Sequence, residues 1–329
     1  MQPILDIKNL KVYYHTSQGP VKAVEDVSFS LEPGERMGLV GESGSGKSTI
    51  ALALMKAHKF PANIESGDII VDSINIVDLN EEEMRKTRLN NISMIPQGAM
   101  NSLNPVKRIK PQVIDALTDH GIKLRDKEEK FLSELMESVG LSKDVLKLYP
   151  HELSGGMKQR VCIAISISMK PKVIIADEPT SALDVIVQRQ VMETLYEVQE
   201  QLGAACILIG HDMGLMAQFA DKIGIMYAGK MVELGSVSDI FKNPQHPYTR
   251  LLIDSLPDTE GKRDLIGIPG IPPSLLNLAD GCSFCLRIGK KNTKKVPWVK
   301  VTAGHFIQKC PTCIDYGLRK KATTKRTRK

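Results

Sequence analysis

The sequence contains no run of apolar residues near the ~18 that a membrane-spanning helix needs. Its opening, MQPILDIKNL, also lacks the basic n-region and apolar h-region of a secretory signal. Both absences predict a chain made and kept in the cytosol, so any membrane spanning falls to other chains. No internal repeat is visible, which argues for one unit rather than a tandem pair. Aromatic residues are few. Of six cysteines, Cys162 and Cys206 stand alone in apolar segments, where cysteine is usually a small buried hydrophobe. What remains, 42% hydrophobic and 25% charged residues over 329, is the texture of an ordinary globular protein with a sizeable core.

Much of the formal net charge of +6 sits in the tail Arg319–Lys329, RKKATTKRTRK. Such a block reads first as a solvated, disordered tail, with anionic lipid or nucleic acid as the competing readings. Upstream, ILDIKNLKVYY and VKAVEDVSFSLEPGE alternate apolar and polar residues as strands do, and RMGLVG is a short strand running into a glycine-rich loop and a helix. From about 98 to 160 the apolar spacing turns helical, as in EEKFLSELMESVGL. KVIIADEP and ACILIGHD then read as buried parallel strands flanking a helix. Strands alternating with helices predict an α/β core with a mainly parallel sheet. Beyond Asn243, the prolines of NPQHPYT and IPGIPPS mark a loop-rich segment.

The chemistry begins at Gly41-Glu-Ser43-Gly44-Ser45-Gly46-Lys47-Ser48, a G-x-x-x-x-G-K-[ST] phosphate loop between a strand and a helix. Its glycines free the backbone to turn N–H groups onto phosphate oxygens, and the following helix, through Thr49, adds its N-terminal partial charge. Lys47 reaches the β- and γ-phosphates and the Ser48 hydroxyl joins a Mg2+ shell. The strand in VIIADEPTSALD delivers Asp177 and Glu178 to the ligand edge of the sheet. Asp177 is suited to hold Mg2+ and Glu178 to polarise water as general base; the competing reading is a solvated acidic pair. Ser154, Gly155 and Gly156 of LSGGMKQ open an apolar helix. They read equally as a second phosphate-binding helix end or as a plain N-cap.

In this order, the phosphate loop, LSGGMKQ and DEPTSALD resemble an ABC transporter ATPase. VKAVEDVSFSLEPGE, IPQGAMNSLNPV, YPHELSGGMKQRV, MYAGKMVELG, NPQHPYTRLL and IPGIPPSLL extend the resemblance to the oligopeptide/dipeptide/nickel importer ATPases over nearly the whole chain. The resemblance implies a P-loop NTPase cassette over 1–242, with an antiparallel β subdomain, a RecA-like parallel sheet core and a helical subdomain at about 98–160. A loop-rich extension over 243–318 and the tail at 319–329 would follow. It also implies that Tyr14 stacks on adenine, that Gln97 touches Mg2+ and water, and that Ser154 and Gly156 contact ATP held by a partner cassette. Asp184 would sit at the dimer seam and His211 would contact the γ-phosphate. Gly98 and Gly210 depart from the family pattern without removing a catalytic group. The implied activity is hydrolysis of ATP with Mg2+, powering import of di- or oligopeptides, with nickel or a metal chelate as the alternative cargo. The implied partners are a second ATPase subunit, a paralogue by family habit, two transmembrane permease subunits and an extracytoplasmic solute-binding protein, at the cytoplasmic face of the cell membrane. A nucleic-acid-directed soluble ATPase is the rival reading. Against it, the chain has neither a coiled-coil insertion nor a second cassette, so no nucleic acid is expected. A regulatory, non-hydrolysing cassette is opposed by Glu178 and His211.

Four further cysteines form CxxC, a 24-residue gap, and CxxC: Cys282, Cys285, Cys310 and Cys313. That spacing is a tetrathiolate signature that suits structural Zn2+, and soft thiolates also suit an iron–sulfur cluster. The resemblance implies a 4Fe–4S cluster, although the match is incomplete. Cys282 and Cys310 fit the family's pattern, Ile288 stands where its second cysteine is expected, and Cys285 and Cys313 lie outside it.

Overall fold

The computed structural model describes residues 2–98, 102–256 and 267–317; the basic tail lies outside them. The alternating N-terminal segments become β1 (Leu5–Thr16) and β2 (Gly19–Leu31), an antiparallel pair. Next, β3 (Arg36–Val40) runs through the glycine-rich loop into α1 (Lys47–Leu54). β4 (Ala62–Val71) and β5 (Ile74–Asn75) return to the first sheet, whose order is β2-β1-β4-β5. After α2 (Glu81–Thr87) comes β6 (Ile92–Ile95).

The helical stretch expected at about 98–160 carries α3 (Ile109–Thr118), α4 (Glu128–Ser138) and the first part of α5 (Gly155–Ile167). Then β7 (Val173–Asp177), α6 (Val185–Leu202), β8 (Ala205–Gly210), α7 (Met213–Phe219) and β9 (Lys222–Tyr227) alternate as anticipated. The strands β6, β7, β8, β3 and β9 are parallel neighbours.

Each face of this sheet meets its own core. Strand residues point alternately to opposite faces. Val173, Ile175, Ile207 and Leu39 therefore pack with α1 and the first sheet, while Ile174, Ala176, Leu208 and Val40 pack with the helical side. Both faces are covered, which is why these strands read as continuous apolar runs. The same alternation carries Asp177, two residues beyond Ile175, toward α1.

The segment beyond residue 242 does not hang apart as loops. After β10 (Lys230–Ser236) and α8 (Val237–Lys242), α9 (Pro247–Asp254) and α10 (Ser283–Arg287) lead to β11 (Trp298–Thr302) and β12 (His305–Gln308). β12 pairs antiparallel with β10 and β11 with β12, continuing the large sheet as β11-β12-β10-β9-β3-β8-β7-β6. A fully buried carboxylate fastens this edge. Glu233 accepts hydrogen bonds from the Gln245 and His246 backbone N–H groups at 2.7 and 2.9 Å and lies 2.8 Å from His305 Nε2. A buried charge survives only when so partnered.

Candidate nucleotide site and cysteine centre

The loop between β3 and α1 is fixed by close backbone approach. A Cβ on Gly41 would lie 2.2 Å from the Met226 carbonyl oxygen, and one on Gly46 2.1 Å from that of Ala23. Gly46, at φ 103, also occupies left-handed space that disfavours L side chains, and it starts α1 with no side-chain cap. The first-turn N–H groups of α1 thus remain open to an anion. Ser45 and Lys47 are buried beneath the loop, whereas Ser43 and Gly44 are exposed. Lys47 Nζ donates to the Gly41 and Glu42 carbonyl oxygens at 2.8 and 2.9 Å, and burial lowers its pKa. An ammonium clasped by its own loop's carbonyls can exchange those acceptors for phosphate oxygens.

Strand β7 brings the acidic pair to this loop. Ser48 Oγ donates to Asp177 Oδ1 at 3.2 Å, and burial raises the pKa of Asp177. A buried carboxylate beside a hydroxyl is an all-oxygen donor set that fits a hard divalent cation such as Mg2+. Glu178 leaves the strand at φ 45 with its N–H bonded to the Ile209 carbonyl. Its carboxylate accepts from Gln97 Nε2 at 2.9 Å and lies 3.7 Å from His211 Nδ1. The ends of β6, β7 and β8 thereby join Gln97, Glu178 and His211 beside Ser48 and Asp177. Tyr14, on β1, stands with its hydroxyl 3.5 Å from Thr49 Oγ1 on α1.

Ser154, Gly155 and Gly156 stand elsewhere. Ser154 caps α5 by accepting from the Met157 N–H at 3.3 Å, and a Cβ on Gly156 would meet Val187 Cγ1 at 2.5 Å. Asp184 caps α6 by accepting from Ile186 and Val187. Capping and close helix packing account locally for these residues. Among the described residues, no hydrogen bond joins them to the glycine-rich loop.

The four clustered cysteines do meet. All are buried, with their Sγ atoms within 4.8 Å of one another. The Cys282–Cys313 and Cys285–Cys310 distances are both 3.6 Å. Asn292 Nδ2 donates to Cys310 Sγ at 3.0 Å. The hydrogen bond shared with Cys313 lowers the pKa of Cys282 and raises that of Cys313. A tetrahedral ion with metal–sulfur bonds of about 2.3 Å requires sulfur–sulfur edges of about 3.8 Å, close to the two at 3.6 Å.

Sequence reasoning missed the bridge between the two sites. Arg287 of α10 ion-pairs with Glu42 at 2.7 Å, and the Glu42 N–H donates to Tyr248 Oη at 3.1 Å. NPQHPYT had stood out as a family segment and as the start of a loop-rich stretch, and no local pattern pairs Arg287 with a residue 245 positions away. A separate cleft of about 590 Å3, lined by Lys11, Glu25, Lys230, Asp280 and Lys295, lies between the first sheet and the extension. Its charges are mixed and its location is away from the nucleotide loop.

Comparison with known proteins agrees with this arrangement. Residues 24–181 match the family described as ABC transporter, and residues 232–291 that described as oligopeptide/dipeptide transporter, C-terminal region. The dipeptide transport ATP-binding protein DppD of Lactococcus lactis subsp. cremoris is 44% identical over 316 residues, covering 93% of this chain and 90% of its own. The oligopeptide transport ATP-binding protein OppD of Bacillus subtilis is 39% identical over 314 residues, covering 93% and 88%. Among solved structures, a dimeric post-hydrolysis state of the ATP-binding cassette MJ0796 bound to ADP and Pi superposes with a TM-score of 0.63 at 26% identity. It covers 71% of this chain and 98% of that one.

Proposed function

The chain belongs to the ABC transporter family, in its oligopeptide/dipeptide branch, and from that premise we propose that it hydrolyses ATP to drive import of di- or oligopeptides. The observation that carries the hydrolytic reading is the Glu178 carboxylate, flanked by Gln97 and His211 and next to the Asp177–Ser48 pair on the glycine-rich loop. In this reading Lys47 and the first-turn N–H groups of α1 hold the phosphates while Tyr14 supports the base. Ser48, Asp177 and Gln97 hold Mg2+, which when bound neutralises charge on the β- and γ-phosphates. Glu178 orients a water and takes its proton as the water bonds to the γ-phosphorus and the bond to the β,γ-bridging oxygen breaks, releasing ADP and phosphate, while His211 steadies the phosphoryl oxygens. Ser154, Gly155 and Gly156, standing apart from the chain's own loop, serve ATP held by a second cassette, and Asp184 lies at that seam. ATP then closes the pair through its greater affinity for the closed state, and loss of phosphate releases it.

The peptide assignment rests on the relatives, which are dipeptide and oligopeptide transport ATP-binding proteins. No helix among the described residues is long and apolar enough to cross a membrane. From the family membership we infer that the unit works with two permease subunits, a paralogous second cassette and an extracytoplasmic binding protein, at the cytoplasmic face of the membrane. We assign the four thiols to a metal. The 3.6 Å sulfur edges support a single Zn2+ over the wider cage that a 4Fe–4S cubane would need.

The test is Glu178→Gln in the assembled transporter. ATP binding should persist while turnover falls at least about a hundredfold. A near-wild-type ATPase rate would remove Glu178 from the role.

A further inference from the structure

Three contacts tie the short helix of the cysteine centre to the nucleotide loop. The first is ionic. Arg287, with only 3% of its side chain exposed, is pinned by the carbonyl oxygens of Ile268, Pro269 and Gly270 and aims its remaining nitrogen at Glu42, inside the glycine-rich loop. The second passes through aromatic rings. Phe284, one residue before Cys285, packs on Tyr248 with centroids 6.3 Å apart, and Tyr248 Oη accepts from the Glu42 N–H. The third runs through Tyr227. This ring lies 5.9 Å from Phe284 and 5.9 Å from the Arg287 guanidinium, and it begins the turn whose Gly229 N–H donates to the Ser45 carbonyl. Cys282 sits at the N-cap of this five-residue helix and Cys285 lies within it, so the helix's position depends on what the thiols hold.

We propose that the cysteine centre and the glycine-rich loop form one coupled device, in which a metal on the four thiols fixes α10, Arg287 then positions Glu42, and the loop is held in its nucleotide-binding shape. Arg287 is a positioning residue, acting on phosphate only through Glu42 and the loop. The proposal rests on the assignments of nucleotide to the loop and of metal to the thiols. The physical ground is rigidity. A loop held by a half-buried ion pair and two packed rings loses less freedom when a ligand arrives, and a short helix without its metal cannot keep those contacts in register. The coupling must be reciprocal: whatever factor the metal adds to nucleotide affinity, bound nucleotide adds to metal affinity.

The experiment uses the assembled transporter, with binding of a non-hydrolysable ATP analogue measured before and after a chelator empties the thiols, and again after Zn2+ is restored. Emptying should weaken analogue binding about tenfold and refilling should recover it. Saturating analogue should slow release of metal to the chelator by a similar factor, a readout independent of turnover. Glu42→Gln, isosteric and partly exposed, should reduce both effects to about twofold or less while the metal stays bound, and Arg287→Lys should do the same. Unchanged affinity on emptying, or full coupling retained in Glu42→Gln, overturns the inference and leaves the two site assignments standing. Thiols that hold no metal in the native complex, or a loop that binds no nucleotide, overturn the assignments and the inference together.

Discussion

At the edge of the large sheet Lys47, Asp177 and Glu178 keep partners that a ligand can replace; around α10 four thiols close on one another and face no solvent. Lys47 is clasped by loop carbonyls, Asp177 by a hydroxyl and Glu178 by an amide, all within 3.2 Å. Each is a neutral partner that a phosphate, cation or water can displace at little loss. Among the described residues the cysteine sulfurs pair with each other, with Asn292 and, for Cys282, with the Cys285 backbone N–H. An open set of exchangeable bonds suits turnover, and a closed thiolate set suits permanence. The difference also shows in what fixes each geometry, which is backbone crowding in the first site and the mutual approach of four buried thiols in the second.

The sharpest way to break this contrast is to add one carbon to the crowded loop. Gly46→Ala puts a Cβ 2.1 Å from a backbone oxygen at φ 103, so something in the frame must shift. The expected loss is about 4 kcal/mol in equilibrium unfolding, the range of exceptional single substitutions, together with loss of ATP binding. Gly44→Ala is the internal comparison. It is also left-handed, at φ 75, but its Cβ meets open space, so only the conformational cost of about 1–2 kcal/mol remains. Equal losses at the two glycines would show that close approach does not fix the loop.

Much of the nucleotide edge was legible because its determinants are local in sequence. The GESGSGKS loop and the VIIADEP strand each carry position and chemistry in a few contiguous residues. Gln97 and His211 were harder, since nothing in their neighbourhoods says that they converge on Glu178; a resemblance supplied them. The CxxC pairs announced a group of thiols, but their sulfur distances, on which the proposed choice of a single ion over a cluster rests, were not legible. The extension's strands were missed because WVKVT and HFIQ are short edge strands without a long alternating pattern. β12 reaches β10 across a long gap in the sequence; the Glu233–His305 contact alone spans 72 residues. The Arg287–Glu42 pair was illegible for the same reason of distance.

At the closed centre the contrast predicts a smaller but still large effect. Cys285→Ser replaces one soft ligand, so metal stoichiometry should fall, and unfolding should cost about 3 kcal/mol, at the upper end of ordinary substitutions. Cys206→Ala removes an equally buried thiol that has no metal to lose, and should cost only about 1 kcal/mol of packing. If the two variants lose the same stability with metal content unchanged, the four thiols contribute packing alone.

The smallest effect concerns the extension's buried histidine. Burial, followed by the nearby Arg250 charge, pushes the His246 pKa down to about 3, from an ordinary value of 6.5. Above pH 6.5 both folded and unfolded imidazoles are neutral, and His246 adds no pH dependence. Below it the unfolded chain takes up a proton that the folded one refuses until about pH 3, so stability falls as pH falls. The slope is about 1.4 kcal/mol per unit, or about 2 kcal/mol between pH 6.5 and 5. His246→Asn keeps a side-chain acceptor at the N-cap of α9 and carries no titrating group. Subtracting its unfolding free energies from those of the wild type across this range should therefore isolate the His246 slope. A flat difference would mean that the imidazole can be protonated in place, and that the extension is as open to exchange as the nucleotide edge.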